Sequence, residues 1–134
     1  MTRLNLLIIH NNQIDSSKMA NFLGSLGHSV YLMNNIDESL EYIANNRPEL
    51  VLVQENLDNS NAQHFIIKAS QKKVFTHTAF LIMQNQTPDE ATKIKYMSLG
   101  FSYFITNQTD EKNLEHLKFC LNEEINLIQL LKAG

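Results

Sequence analysis

PELVLVQENLD, residues 48–58, is the segment that decides the fold of this chain. Its apolar run at residues 50–53 has no polar alternation, which is typical of a strand buried on both faces at the centre of a parallel sheet. The run ends abruptly at Gln54, Glu55 and Asn56. Because sites in open α/β sheets lie outside the carboxyl ends of the strands, Gln54 is expected to point into such a crevice.

Short apolar runs alternate with amphipathic segments along the rest of the chain. Further strands are predicted at residues 4–9, 29–33, 80–83 and 102–105. Apolar residues at three- and four-residue spacing predict helices from Asp15 or Ser16 up to Gly27, and at residues 35–46, 62–71, 88–99 and about 110–132. The fourth helix is expected to begin with Thr87 as its cap, Pro88 in the first position and Glu90 completing a capping box. Residues 59–61 are predicted to form a polar loop.

Five strand–helix units of this kind imply a parallel sheet with helices on both faces. For a chain of 134 residues they favour one α/β domain over residues 1–134 with the flavodoxin-like strand order 2-1-3-4-5.

Composition excludes several classes of protein. The net charge is -3, without a basic stripe, so this domain is not expected to bind nucleic acid. No apolar run approaches the length of a bilayer span and the N-terminus resembles no signal peptide, so a cytosolic protein without a membrane segment is expected. Cys120 lies in a helical pattern and is predicted to be a buried structural thiol.

In the predicted strand order, polar side chains converge at the carboxyl ends of four strands. They are His10, Asn11, Gln54, Gln84 and Asn107. No second histidine or cysteine lies at ligand spacing from His10, so a transition-metal site is not expected. Neutral amides and one imidazole can donate and accept hydrogen bonds among themselves, which predicts a closed polar cluster without a metal ion.

Three segments carry a resemblance to a known family: LLIIHNNQIDSSKMANFLGSLGHSV, PELVLVQENL and MSLGFSYFIT. With these segments the chain resembles the receiver domain of two-component response regulators along essentially its whole length. The resemblance implies the same flavodoxin-like fold, a switch aromatic at Phe104, and protein contacts through the fourth helix, the fifth strand and the fifth helix. We favour a role for Phe104 in the apolar core, because a switch aromatic has no signal to respond to in a domain that is not phosphorylated.

The residues that carry the family's chemistry are absent. The resemblance places the family's magnesium-binding acids at His10 and Asn11, its phosphoacceptor aspartate at Gln54, its serine or threonine at Gln84 and its lysine at Asn107. An amide is not a usable nucleophile for an acyl phosphate, and magnesium prefers carboxylates. We therefore expect a pseudo-receiver: not an enzyme, without a cofactor, and with its magnesium site lost.

Two alternatives stay open from the sequence. In the first, the domain still takes part in a phosphorelay through a displaced acid, Glu55 or Asp58. Glu55 follows Gln54 on a strand and is expected to point the opposite way. In the second, the crevice binds a small polar ligand.

The fifth helix has a long apolar stripe. It comprises Leu114, Leu117, Leu121, Ile125, Ile128 and Leu131, and Leu127 and Leu130 widen it. The part near residues 114–121 is expected to cover the sheet, and the remainder to be exposed as an interface. The alternatives are a helix that folds back on its own domain and a linker to a further domain.

Partner contact or self-association is predicted through Ile94, Lys95, Met97, Ser98, Tyr103, Lys112, Glu115 and Lys118.

Overall fold

A computed structural model describes residues 3–58, 60–72, 78–106 and 110–133, with side chains as far as residue 131. In chain order its elements are β1 Asn5–Ile9, α1 Gln13–Ser25, β2 Ser29–Met33, α2 Ile36–Asn46, β3 Leu50–Gln54, β4 Asn56–Leu57, β5 Ser60–Asn61, α3 Ala62–Gln71, β6 Ala79–Gln84, α4 Glu90–Leu99, β7 Tyr103–Thr106 and α5 Glu111–Ala133.

Five strands form one parallel sheet in the order β2-β1-β3-β6-β7. This order confirms the predicted flavodoxin-like fold, since β6 and β7 are the fourth and fifth strands of the sheet. β3 lies at its centre, paired with β1 and β6, and the side chains of residues 50–53 are fully buried. The continuous apolar run therefore marks the central strand, as predicted.

Helices cover both faces of the sheet, and each face has its own apolar core. Val51 and Val53 pack into a cluster with α2, α3 and α4, whereas Leu50 and Leu52 pack into a second cluster with α1 and α5. Successive side chains on a strand alternate between the two faces. The polar residues beyond the strand ends are therefore sorted between the α4 side and the α5 side.

A short hairpin was missed by the sequence analysis. β4 and β5 pair antiparallel directly after β3, where a polar loop was predicted at residues 59–61. Two-residue strands carry no hydrophobic period, so the pattern of the sequence cannot reveal them.

Two predicted helix starts are wrong. α1 begins three residues before Ser16, with Asn12 as its cap, because the Asn12 side chain accepts from the amides of Ile14 and Asp15 at 3.0 and 3.1 Å. α4 begins after Asp89, which accepts from the amide of Thr92 at 2.8 Å.

The same chemistry explains why Asn12 and Asp89 are the caps. Asparagine and aspartate cap helices at least as well as serine or threonine, and a carboxylate also favours the positive end of the helix dipole. Thr87 and Pro88 therefore precede α4 rather than start it.

The fifth helix is 23 residues long, and its stripe divides differently from the prediction. Leu117 and Leu121 are buried, as expected. Ile125 and Ile128, predicted to be exposed, pack partly buried against the same cluster, which α1 also joins through Ala20 and Phe22. The core thus extends further along α5 than the width of the sheet suggests, and Leu127, Leu130 and Leu131 are left exposed.

Two strands form the edges of the sheet. β2 (SVYLM) and β7 (YFIT) contain neither a charged residue nor a proline. On β2 the side chains of Tyr31 and Leu32 are exposed.

Among the helices in the described part of the chain, none combines the length and apolar character needed to cross a membrane.

Candidate functional site

Four of the five predicted crevice residues lie within the described chain, at the carboxyl ends of β1, β3 and β6. His10 and Gln84 are buried, and Asn11 and Gln54 are half-buried. Asn107 lies outside the described residues. The contacts of the four residues divide them between the two faces of the sheet.

His10 organises the turn after β1. Its amide donates to the carbonyl of Met33 at 3.0 Å, and its Nδ1 accepts from the amide of Asn12 at 2.9 Å. Nδ1 is therefore the unprotonated ring nitrogen, and it is engaged by the backbone rather than directed at a ligand. The same turn places Asn12 at the start of α1, so His10 serves the local structure of the crevice wall.

Gln54 joins the end of β3 to the end of β1. Its Oε1 accepts from the amide of Asn11 at 2.9 Å, while the Asn11 Nδ2 donates to the carbonyl of Asn56 at 3.4 Å. The oxygen at the central position of the crevice is thus already satisfied by a backbone donor. We call Asn11, Gln54 and Asn56 the Gln54 cluster.

Gln84 belongs to a second group on the other face of the sheet. Its Nε2 donates to the Oε2 of Glu55 at 3.3 Å, and the hydroxyl of Tyr96 donates to the same oxygen at 2.6 Å. Burial, together with the Glu55 hydrogen bond and charge, raises the pKa of Tyr96 above its ordinary value, so this phenol remains a donor at neutral pH. We call Glu55, Gln84 and Tyr96 the Glu55 cluster.

The described residues therefore form two clusters rather than the single closed network that the sequence predicts. No hydrogen bond between described residues joins Gln54 to Gln84. The register explains this separation, because Gln54 pairs with Met83 and Gln84 with Thr106, which puts the two amides on opposite faces. Glu55 points away from Gln54, as expected, and Gln84 lies on the same face of the sheet as Glu55 and donates to it. Within this cluster the Oε1 of Gln84 is buried without a hydrogen-bond partner.

The donor set does not suit the magnesium ion that the receiver resemblance implies. Magnesium prefers one or more carboxylates in a near-octahedral oxygen shell. The Glu55 carboxylate is engaged by Tyr96 and Gln84, and Asp58 lies exposed beyond β4. In the described ranges, no three His, Cys, Asp or Glu side chains come together as a metal site. Loss of the magnesium site stays a prediction.

A second feature is an open cavity of about 610 Å³ between α4, β7 and α5. Lys93, Tyr103, Phe104, Lys112 and Phe119 are among the residues that line it. Phe104 is half-buried and packs against the core on the α4 side, so it is both core and cavity wall.

Of the predicted interaction residues, Tyr103 and Lys112 line this cavity. The four predicted residues on α4 are exposed. Ile94 and Met97 are 61% and 60% exposed, and the hydroxyl of Ser98 donates to the carbonyl of Ile94 at 2.8 Å. The Nζ of Lys95 lies 5.5 Å from the centre of the Tyr96 ring.

The remaining predicted residues lie on β7 and α5. Lys112 and Glu115 are exposed and Lys118 is half-buried. The hydroxyl of Tyr103 donates to Oε1 of Glu124 at 2.8 Å, and burial followed by this hydrogen bond raises the pKa of Tyr103. Tyr103 thus fastens β7 to α5 rather than pointing freely to solvent.

Sequence reasoning missed Phe119, which is 60% exposed on the cavity side of α5. A signal was available: Phe119 falls outside the leucine and isoleucine stripe of the fifth helix, and an aromatic ring outside that stripe indicates a surface position. We use the name apolar patch for three exposed side chains, Ile94 and Met97 on α4 and Phe119 on α5.

Comparison with known proteins gives the fold. No protein-family model and no curated protein sequence matches the chain. A signal receiver domain from Vibrio parahaemolyticus matches with a TM-score of 0.83 at 11% identity, over 98% of this chain and 97% of that one. The chemotaxis response regulator CheY4 of Vibrio cholerae matches with a TM-score of 0.79 at 15% identity, over 92% and 99%. A two-component response regulator from Clostridium difficile matches with a TM-score of 0.77 at 20% identity, over 92% and 96%.

Proposed function

We propose that this protein is a cytosolic pseudo-receiver, a domain with the response-regulator receiver fold that signals by protein contact and not by phosphorylation. The observation that carries the proposal is Gln54 at the end of the central strand, with its Oε1 bound to the amide of Asn11. The receiver resemblance assigns the family's phosphoacceptor aspartate to this position, and an amide offers no oxygen nucleophile at neutral pH.

The surroundings of Gln54 support the same conclusion. Phosphoryl transfer depends on a metal ion and positive charge to stabilise the transition state. Here the neighbouring positions hold His10 and Asn11, which offer no carboxylate and whose side chains bond to backbone groups. A displaced acid would have to replace them, but Glu55 is engaged by Tyr96 and Gln84 on the opposite face of the sheet.

The proposed working surface is the face around the cavity of α4, β7 and α5. Its apolar patch exposes three large side chains beside several lysines, which is the mixture of apolar anchors and polar rim found in protein interfaces. Five of the six other predicted residues, Lys95, Ser98, Lys112, Glu115 and Lys118, are proposed as its rim, and the sixth, Tyr103, is bonded to Glu124.

The chemical half of the proposal is tested by amide NMR of the purified domain, titrated first with magnesium and then with magnesium plus beryllofluoride, a mimic of an acyl phosphate. We expect the amides of Asn11, Gln54 and Glu55 to stay unshifted at millimolar magnesium. A receiver with an intact aspartate serves as the positive control. Saturable shifts of these amides would mean that a displaced carboxylate retains the ion, and the phosphorelay alternative would replace our proposal.

The proposed contact surface is tested by placing a charge at its apolar side chains. Met97→Lys and Phe119→Lys should each abolish the contact. If the contact is self-association, analytical sedimentation measures the loss, and if it is with a partner, cross-linking in cells measures it. Ile67→Lys is the matched control, since Ile67 is 40% exposed on α3, away from this face. Equal loss in the control, or no loss on the face, would contradict the assignment.

A second candidate, a sensor of a small polar ligand, is favoured by one observation. The Oε1 of Gln84 is a buried acceptor without a hydrogen-bond partner, and such groups are costly unless a donor reaches them. Native mass spectrometry of the freshly purified protein tests this candidate. A bound mass that disappears in Gln84→Met would support it, and protein of the bare chain mass would count against it.

A further inference from the structure

We propose that Glu55 is a positioning residue for the interaction face, because its carboxylate holds Tyr96 and thereby fixes α4 against the sheet. The role in partner contact rests on the function proposed above, whereas the tether between Glu55 and α4 stands on its own contacts. The family resemblance does not assign this role. The one function considered for Glu55 from the sequence was that of a displaced acid in a phosphorelay.

α4 has one buried side chain. Of its ten residues, all of which the structure describes, Tyr96 is the one that is buried, and Leu99 packs partly buried against the same core. Ile94, on the opposite side of the helix from Tyr96, and Met97, next to Tyr96 in the chain, are both exposed. A displacement of Tyr96 therefore displaces Ile94 and Met97, the two residues of the apolar patch that α4 carries.

Tyr96 is held at both ends of its ring. Phe101 contacts it edge-on, with ring centroids 5.8 Å apart and planes at 84°. The hydroxyl at the other end donates to Oε2 of Glu55 at 2.6 Å. A hydrogen bond from a neutral donor to a partly buried carboxylate is stronger than one between two neutral groups.

Glu55 is itself fixed by its backbone. Its amide donates to the carbonyl of Met83 at 2.8 Å, and its carbonyl accepts from the amide of Ala62 at 2.8 Å. These bonds connect it to the end of β6 and to the start of α3. The Nε2 of Gln84 adds a second donor to the same carboxylate oxygen that Tyr96 uses. The carboxylate is thus a rigid anchor at the edge of the crevice, and α4 is the element attached to it.

Hydrogen exchange of backbone amides tests the tether in the intact chain. Glu55→Gln keeps the shape of the side chain and removes its charge, and Tyr96→Phe keeps the ring and its contact with Phe101. We expect each variant to raise the exchange rates of α4 amides at least tenfold, while β1 and β3 amides remain unchanged. The double variant should exchange no faster than the faster single variant, because both substitutions remove the same charge-assisted hydrogen bond.

Tyr103→Phe is the matched control. It removes a comparable tyrosine–carboxylate bond, to Glu124, between β7 and α5, and should leave exchange in α4 unchanged. The NMR shift of the Tyr96 ζ carbon, labelled with carbon-13, should move in Glu55→Gln and stay in place in Tyr103→Phe.

Three results would overturn the proposal: unchanged α4 exchange in both single variants, additive effects in the double variant, or equal acceleration throughout the domain. The last would show a loss of global stability rather than release of α4. None of these outcomes depends on magnesium or beryllofluoride binding, so the tether and the pseudo-receiver function fail separately.

Discussion

Replacing Leu117 or Phe119 with alanine separates the core side of α5 from its contact side. Leu117 is 1% exposed in the core beneath α1 and α5, whereas Phe119, two residues on, is 60% exposed beside the cavity. Leucine-to-alanine changes in well-packed cores cost about 2–5 kcal/mol of unfolding free energy. Exposed substitutions usually stay within about 0.5 kcal/mol.

These costs convert into melting temperatures. For 134 residues the entropy of unfolding is about 0.28 kcal/mol per kelvin near the transition. Leu117→Ala should therefore lower the melting temperature by about 7–18 °C, and Phe119→Ala should change it by less than about 2 °C. Circular dichroism at a single protein concentration measures both. A fall in Phe119→Ala as large as that in Leu117→Ala would show that Phe119 is part of the core and does not belong to the apolar patch.

Two predictions concern the titratable groups His28 and Cys120. Burial lowers the pKa of His28 despite the opposing charge of Glu49, and its Nδ1 accepts from the amide of Leu4 at 3.1 Å. Its contribution to stability is therefore complete above the unfolded pKa of about 6.5 and is lost as the pH falls through the lower folded value. Urea unfolding at pH 7.5 and pH 5 should show a smaller loss in His28→Gln than in the parent, and equal losses would contradict this. Burial raises the pKa of the Cys120 thiol to about 11, so at pH 8 a disulfide reagent should react with the unfolded chain and hardly at all with the folded one. Rapid labelling of the folded protein would show that the thiol is accessible.

The strand order could be predicted because each strand of the sheet is a short apolar run bounded by polar residues. Residues 50–53 are the clearest case, since burial on both faces leaves no polar residue to confuse the pattern. The helix starts could not be fixed in the same way. Asn12, Asp15 and Ser16 are all competent caps, as are Thr87 and Asp89, and local sequence does not decide between neighbouring candidates.

The strand ends that meet at one edge of the sheet could be predicted, but the contacts between their side chains could not. Sequence indicates which strand ends meet at one edge, yet the face on which a side chain lies depends on the register between strands. Gln84 is one residue beyond the partner of Gln54, and this single step moves it to the α4 side. The Glu55 cluster results from this step in register. Because no pattern in the sequence indicates the step, the cluster could not be predicted.

The two edges of the sheet have a consequence for how copies of this chain can associate. Neither β2 nor β7 has the charge or proline with which proteins commonly protect an edge strand. Contact through the face of α4, β7 and α5 can close as a two-fold pair that stops at two copies. Contact of β2 in one copy with β7 in the next is head-to-tail, repeats without limit, and winds helically because each added strand carries the twist of the sheet. Association through the edges would therefore yield a continuous distribution of lengths set by concentration, whereas association through the face gives one discrete size.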